Sequence, residues 1–309
     1  MRPSAGLTIL ENAPLARYTR FAVGGPAKIL ADASTETALT EALHEIRESG
    51  KPYTVMGGGT NLVAADEGYA GVVLRYTNSA IEFVAATVRV AAGAVLQDLV
   101  DASIAHGLKG LETMTGIPGW LGGAIYGNAG AYGHSIHERV SSVRYLQGEC
   151  VHEIGNAACG FAYRESVFKR RKDWIVLSAT LQLEPADADE LHATASGILK
   201  IRNEKYPPTM RCAGSIFKNL LWADLPAAVR AQVPATVVRE GKVPSAYFLE
   251  QAGAKGLVRG GVRVADYHAN LIYNEGGGTA REVHELIADL KRRVHDRFGL
   301  DLEEEVQYV

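Results

Sequence analysis

Short apolar runs separated by amphipathic stretches fill the first half of the chain, the pattern of strands alternating with helices. Residues 27–31 predict a strand, Ser34 an N-cap, and Leu39, Leu43 and Ile46 a helix face that ends at Gly50. Further strands are predicted at 52–56, 71–75 and 87–91, with a helix over 96–106 carrying Leu96, Leu99, Val100 and Ile104 on its apolar side. Strand-like segments follow near 139–147 and at 174–178, then a helix over about 187–202. Pro207-Pro208 punctuates the chain and marks a boundary. Beyond it, 214–219 and 270–274 read as strands. The last helix is the most legible: Thr279 and Glu282 form a capping box, Val283, Leu286, Ile287, Leu290 and Val294 form its stripe, and Gly299 stops it. Residues 303–309 predict a terminal strand, and no internal repeat or low-complexity tract interrupts this order.

The chain has 309 residues, room for about two domains. With 47% hydrophobic and 22% charged residues it is an ordinary globular sequence, which excludes wholesale disorder. A net charge of -3 argues against nucleic acid as a partner. Cys150, Cys159 and Cys212 contain no CxxC spacing, which excludes a disulfide scaffold and the usual zinc frameworks and leaves them as buried small hydrophobes. Residues 1–11 lack the continuous apolar run of a signal peptide, so a cytoplasmic location is expected. Residues 113–137 carry no Asp, Lys or Arg between Thr113 and His137 and no Glu, enough to span a bilayer at ~20 residues. The seven glycines within 113–133, with Pro118 and Asn128, would leave backbone groups unpaired in lipid and argue against a membrane role.

The 33 glycines are in excess of the average usage of about 7% and concentrate in two places. Met56-Gly57-Gly58-Gly59-Thr60-Asn61-Leu62 follows a predicted strand, where successive backbone N–H groups form a concavity suited to a pyrophosphate. Leu62 stands where a dinucleotide fingerprint needs glycine, and taken alone the loop serves equally as a tight turn. Gly116-Ile117-Pro118-Gly119-Trp120-Leu121-Gly122-Gly123-Ala124, followed by Asn128-Ala129-Gly130, offers a second surface that backbone can present closely to a flat cofactor. Two loops packed on each other would leave the same pattern. His134 and His137 lack further ligands nearby and read as surface histidines, so no metal is expected. Strand alternation would turn Glu304 away from Glu303 and Glu305 and could bring one carboxylate into a cleft.

At these residues the chain resembles a known family. Phe21-Ala-Val-Gly-Gly-Pro26, the two glycine loops, Tyr163-Arg164-Glu-Ser-Val-Phe168, Gly214-Ser215-Ile-Phe-Lys218-Asn219 and Glu305-Val306 occur in the order found in the UDP-N-acetylenolpyruvoylglucosamine reductases. These flavin enzymes complete the muramic acid precursor of peptidoglycan. The resemblance runs from about Thr19 to Val306. It implies an α+β chain with the flavin-binding fold of the vanillyl-alcohol oxidase/PCMH type in two N-terminal subdomains, plus a C-terminal α+β substrate-binding domain. The parts would be 1–75 joined by the strand 300–309, 76–204, and 205–299. The short interval from Arg164 to Ser215 matches the class without the inserted loop whose tyrosine caps substrate. Four positions depart from the family pattern: Thr60 for serine, Trp120 for a small residue, Gly127 for methionine, and Leu220 for proline.

The resemblance further implies FAD, held non-covalently by Gly57, Gly58, Gly59, Thr60, Asn61 and Leu62, by Gly116, Ile117, Pro118, Gly122, Gly123 and Ala124, and by Asn128, Ala129 and Gly130. NADPH is the expected reductant and UDP-N-acetylglucosamine enolpyruvate the expected substrate, touched by Lys218 and Asn219. Hydride from flavin N5 would add to the enolpyruvyl CH2, and the negative charge left on carbon and carboxylate needs a fixed cation, for which Arg164 is suited. Glu305, in its protonated form, would share in stabilising that charge, and Ser215 matches the family's proton donor. A different FAD-dependent oxidoreductase of the same fold, or a non-catalytic flavin-binding protein, are the alternatives; the joint presence of Arg164, Ser215 and Glu305 opposes the second.

Overall fold

The computed structural model describes residues 3–309; Met1 and Arg2, part of the stretch read above as lacking a signal peptide, lie outside the described residues. The chain forms two compact units built from discontinuous segments. The first takes the chain up to Ala13, Ala27–Gly59 and Ala70–Pro207; the second takes Pro14–Pro26, Thr60–Tyr69 and Pro208–Val309. The chain therefore changes unit at the double proline, and also between Gly59 and Thr60, inside the first glycine motif.

The first unit holds two sheets. One runs in the order Leu7–Pro14, Pro26–Ala33, Tyr69–Tyr76, Tyr53–Val55, and its last pair is parallel, Tyr53 opposite Val72. The helix Glu36–Glu48 buries Leu39, Leu43 and Ile46 on the predicted face. Its cap is Thr35 and not Ser34: the Thr35 hydroxyl accepts from Ala38 N at 3.1 Å. Ser34 lies one residue too early to reach that amide, and its hydroxyl donates to the Gly6 carbonyl at 3.2 Å. The other sheet is antiparallel in the order Cys150–Gly155, Val140–Gln147, Trp174–Gln182, Thr87–Ala91, Ile81–Val84. A single apolar core joins these sheets to the helix Leu96–Ala105, with Leu96 and Leu99 fully buried. Cys159 is buried as expected, whereas Cys150 is exposed. Cys150 opens an edge strand just past the Gly148-Glu149 turn, where all but one residue of the strand is exposed.

The second unit packs a four-stranded sheet, Cys212–Ser215, His268–Asn274, Val262–Ala265, Val258–Arg259, against the helices Ser245–Gln251 and Ala280–Phe298. The last helix forms as its sequence dictates. The Thr279 side chain accepts from Glu282 N at 3.2 Å, the Glu282 carboxylate accepts from Thr279 N at 3.0 Å, and Gly299 ends the helix in the left-handed region. Burying each of Leu286, Ile287 and Leu290 contributes roughly 1.5–3 kcal/mol. The terminal strand is shorter than predicted, Gln307–Tyr308, and pairs in parallel with Leu62–Val63. Glu304 makes only an isolated bridge to Phe217, because the chain there crosses from one partner to another. No helix among the described residues is long and apolar enough to cross a membrane. The uncharged stretch 113–137 is broken instead into short turns and the six-residue helix Leu121–Tyr126.

Candidate active site

In the first unit the strand Tyr53–Val55 delivers the chain into Gly57–Gly59. Met56 N makes the last sheet bond, to Leu74 O at 3.0 Å. Among the described residues, the amides of Gly57, Gly58 and Gly59 donate to no protein acceptor. Consecutive N–H groups left for an external acceptor form the concavity that a diphosphate fills. A Cβ on Gly57 would meet only Trp120 Cε3, at 3.9 Å, whereas one on Gly58 would lie 3.2 Å from Trp120 Cδ1 and 3.3 Å from Gly119 Cα. The loop is therefore narrow on one side and open on the other.

The second glycine surface divides by cause. Leu121 N and Gly122 N are bound to Ala94 O and Ala92 O, each at 2.8 Å, and a Cβ on Gly122 would lie 3.1 Å from Ala92 Cβ. Gly122 is thus small for internal packing. Gly123 is exposed with nothing within 4 Å of its Cβ direction, so no neighbour requires glycine there and the open face suits a flat ligand. Gly116 N donates to Gln97 Oε1 at 2.6 Å and Ile117 N to Met114 O at 3.0 Å, which pins the turn carrying exposed Pro118. Ala129 N donates to Ala124 O at 2.8 Å. Asn128, expected at the cofactor, has a left-handed backbone and spends its carboxamide internally, donating to Ala162 O at 2.8 Å and accepting from His137 N at 3.3 Å. Its part toward a ligand would be played by backbone. Together the uncommitted amides and open glycine faces fit FAD.

Arg164 lies in the same unit with φ 59°, a left-handed conformation strained for a bulky side chain. Its carbonyl accepts from Lys169 Nζ at 3.0 Å, Lys169 also pairs with Glu165 at 2.8 Å, and the Ser166 hydroxyl donates to Tyr126 O at 2.7 Å. These contacts hold the strain. The guanidinium donates to Gly130 O at 3.2 Å and lies 5.3 Å from the Tyr163 ring centroid.

The second unit brings Ser215 and Glu305 together. Ser215 ends its strand opposite Leu271, and the next residue, Ile216, accepts at its carbonyl from Glu305 N at 2.7 Å. Lys218 N donates to Glu303 O at 2.9 Å, so 216–218 and 303–305 run side by side. Asn61 Nδ2 donates to the Glu305 carbonyl at 2.9 Å, which places this expected cofactor residue against the carboxylate's own backbone. Lys218 is buried and its ammonium meets Glu303 at 2.5 Å; Asn219 Oδ1 accepts weakly from Ser245 N at 3.4 Å. Thr60 precedes Asn61 as a half-buried residue, and Leu62 enters the parallel pair with Gln307.

The sequence reading missed what fixes this hairpin-like pairing. Asn270, 2% exposed, accepts from Phe217 N at 2.9 Å and donates to Phe217 O at 2.9 Å and to Ser245 Oγ at 2.7 Å. An asparagine in the apolar strand 270–274 was the one available signal. Asn270→Leu is expected to leave these backbone groups unsatisfied and to cost about 1–3 kcal/mol each in urea unfolding. It should also slow turnover, because the segment that follows Ser215 loses its side-chain anchor at Phe217. Unchanged unfolding midpoints would refute this role.

Glu304 points elsewhere: burial opposes its ionisation, but hydrogen bonds from Lys291, at 2.8 Å, and from the Tyr308 hydroxyl prevail and hold its carboxyl below the usual range. A lowered folded value stabilises the protein above the unfolded carboxylate value of ~4.3, and that contribution is lost as pH falls through the folded value. Lys291→Met is therefore expected to be less stable than wild type near neutral pH, with the difference shrinking as pH falls below about 4. Thermal unfolding across pH checks this; a constant gap would contradict it.

No group of three potential metal ligands occurs among the described residues. His134 pairs with Glu138 at 2.8 Å and His137 with Ser135 at 2.7 Å. Burial pushes the Cys159 thiol up to about 11, which makes it a poor nucleophile.

Comparison with known proteins agrees with this layout. The family profile "FAD binding domain" matches residues 27–151, and "UDP-N-acetylenolpyruvoylglucosamine reductase, C-terminal domain" matches 206–309. The UDP-N-acetylenolpyruvoylglucosamine reductase of Solibacter usitatus is 58% identical over 98% of this chain and 97% of its own length. That of Bacillus subtilis is 32% identical over 97% of this chain and 94% of its own. The crystal structure of the reductase from Thermus caldophilus superposes with a TM-score of 0.76 at 27% identity, covering 98% of each chain. At such identity and coverage the chain belongs to the UDP-N-acetylenolpyruvoylglucosamine reductase family of FAD-dependent oxidoreductases.

Proposed function

We propose that this chain reduces UDP-N-acetylglucosamine enolpyruvate to UDP-N-acetylmuramate with NADPH as reductant, in the cytoplasm. The observation that carries the catalytic assignment is the Glu305 N to Ile216 O bond, which sets Glu305 beside Ser215.

The substrate's enol ether carries a C=C bond conjugated to a carboxylate, and reduction adds a hydride at the CH2 carbon and a proton at the other. The amides of Gly57–Gly59 and the open backbone at Gly123 would hold FAD, which would supply the hydride. Arg164 neutralises the charge that develops on the carboxylate, and its gripped, strained backbone keeps the guanidinium from reorganising during the step. Glu305 acts beside it in stabilising the same charge. Ser215 delivers the proton. A hydroxyl is a very weak acid, so it can serve only against a strongly basic carbon, and a fixed position substitutes for acidity. Lys218 and Asn219 contact the sugar nucleotide.

The test is the visible spectrum of the purified protein. Flavin absorbance should fall on adding NADPH and return on adding the enolpyruvyl sugar nucleotide without air. Steady-state double-reciprocal plots should be parallel. Failure of the sugar nucleotide to restore the colour would refute the substrate assignment.

A further inference from the structure

Trp120 stands where the family pattern has a small residue, and its surroundings give it a task. Its main chain is fixed by a bridge to Val95 and by Ala124 N, which donates to its carbonyl at 3.0 Å. Arg75 lies 5.4 Å from the ring centroid and is itself held by Asp32 through two bonds, at 2.7 and 2.5 Å. The half-buried indole is thereby set against the first glycine loop: a Cβ on Gly58 would lie 3.4 Å from its Nε1. Among the described residues that N–H has no protein acceptor, and neither do the adjacent amides of Gly57, Gly58 and Gly59. Four N–H donors without protein acceptors thus gather at one loop.

We propose that the Trp120 indole N–H is a further donor to the FAD diphosphate, acting with the amides of Gly57–Gly59. Several donors left without protein acceptors at one loop suit an acceptor with several oxygens, and a diphosphate is one. The Asp32–Arg75 pair makes the ring rigid, so little side-chain freedom is lost when cofactor binds. It also faces the ring with a cation whose charge is already balanced, which leaves the anion's attraction to the loop's own N–H groups.

The proposal rests on the FAD reading, so the two are tested apart. FAD and ADP are titrated calorimetrically into the wild-type apoprotein and into Trp120→Phe, which keeps a ring over Arg75 and removes only the N–H. Binding of both ligands should weaken about tenfold or more, the consequence of losing one hydrogen bond to a charged acceptor. FAD affinity within about twofold of wild type would overturn the proposal. So would weaker FAD binding with ADP unchanged, which would put the indole against the isoalloxazine ring. If the variant does not fold, wild-type protein with labelled indole nitrogens serves, its Trp120 signal assigned with Trp174→Phe and Trp222→Phe. ADP should move the Trp120 N–H downfield, and an unmoved signal would overturn the proposal. A wild-type apoprotein that binds neither ligand would defeat the FAD reading itself.

Discussion

Ser215→Ala is expected to fold, bind FAD and lose flavin colour with NADPH as the wild type does, since none of these uses the Ser215 proton. The return of colour on adding enolpyruvyl sugar nucleotide should slow by at least ~10²-fold, the lower range for losing a positioned acid. Folding should be spared because the strand end at Ser215 is held by backbone: its pairing opposite Leu271 and the Ile216 N to Asn270 O bond at 3.1 Å do not involve the hydroxyl. Ser215→Cys should recover part of the rate, because a thiol can donate from nearly the same place. Rapid-mixing absorbance gives the reading. An alanine variant that restores colour at the wild-type rate would leave Ser215 as a strand-end residue and require another proton source.

Gly58→Val is expected to purify without flavin. The first added carbon would already press on Trp120 Cδ1 at 3.2 Å and on Gly119 Cα at 3.3 Å, so the loop or the indole must shift. That variant alone does not separate a blocked cofactor from a displaced wall. Gly57→Ala does. Its Cβ meets only Trp120 Cε3 at 3.9 Å, an ordinary contact, so the protein itself tolerates the methyl group. If the diphosphate lies along this backbone, Gly57→Ala should keep the wild-type thermal transition as apoprotein and still bind FAD more weakly. Full flavin occupancy in folded Gly58→Val would show that the loop does not hold the cofactor.

Much of the candidate site was legible as a list of residues and little of it as an arrangement. Motif order singled out Arg164, Ser215 and Glu305 as candidates, and the glycine loops as a candidate cofactor surface. Order along the chain does not say what each side chain touches. Asn128 and Asn61 both read as cofactor residues, yet their carboxamides donate to Ala162 O and Glu305 O, partners 34 and 244 residues away. Gly122 and Gly123 are neighbours in one motif, and only packing against Ala92 distinguishes an internal need for glycine from an open face. Asn270 was invisible as the anchor of Phe217, because a buried polar residue looks like any other strand residue until its partners are known.

What the amino-acid sequence determined by itself is what short-range physics governs. The last helix follows from its capping box, its apolar stripe and Gly299 at its far end, all within one stretch of chain. The helices Leu96–Ala105 and Ala188–Lys205 follow from periodicity, and the double proline at 207–208 from the loss of backbone freedom and donors. Tertiary structure alone decided which strands pair, that Leu62–Val63 receives the terminal strand, and that Glu305 docks on Ile216. It also decided that Trp120 turns its indole to the glycine loop under Arg75. Those contacts join residues far apart in sequence, and their energies come from burial and hydrogen bonds that exist only once both partners are in place.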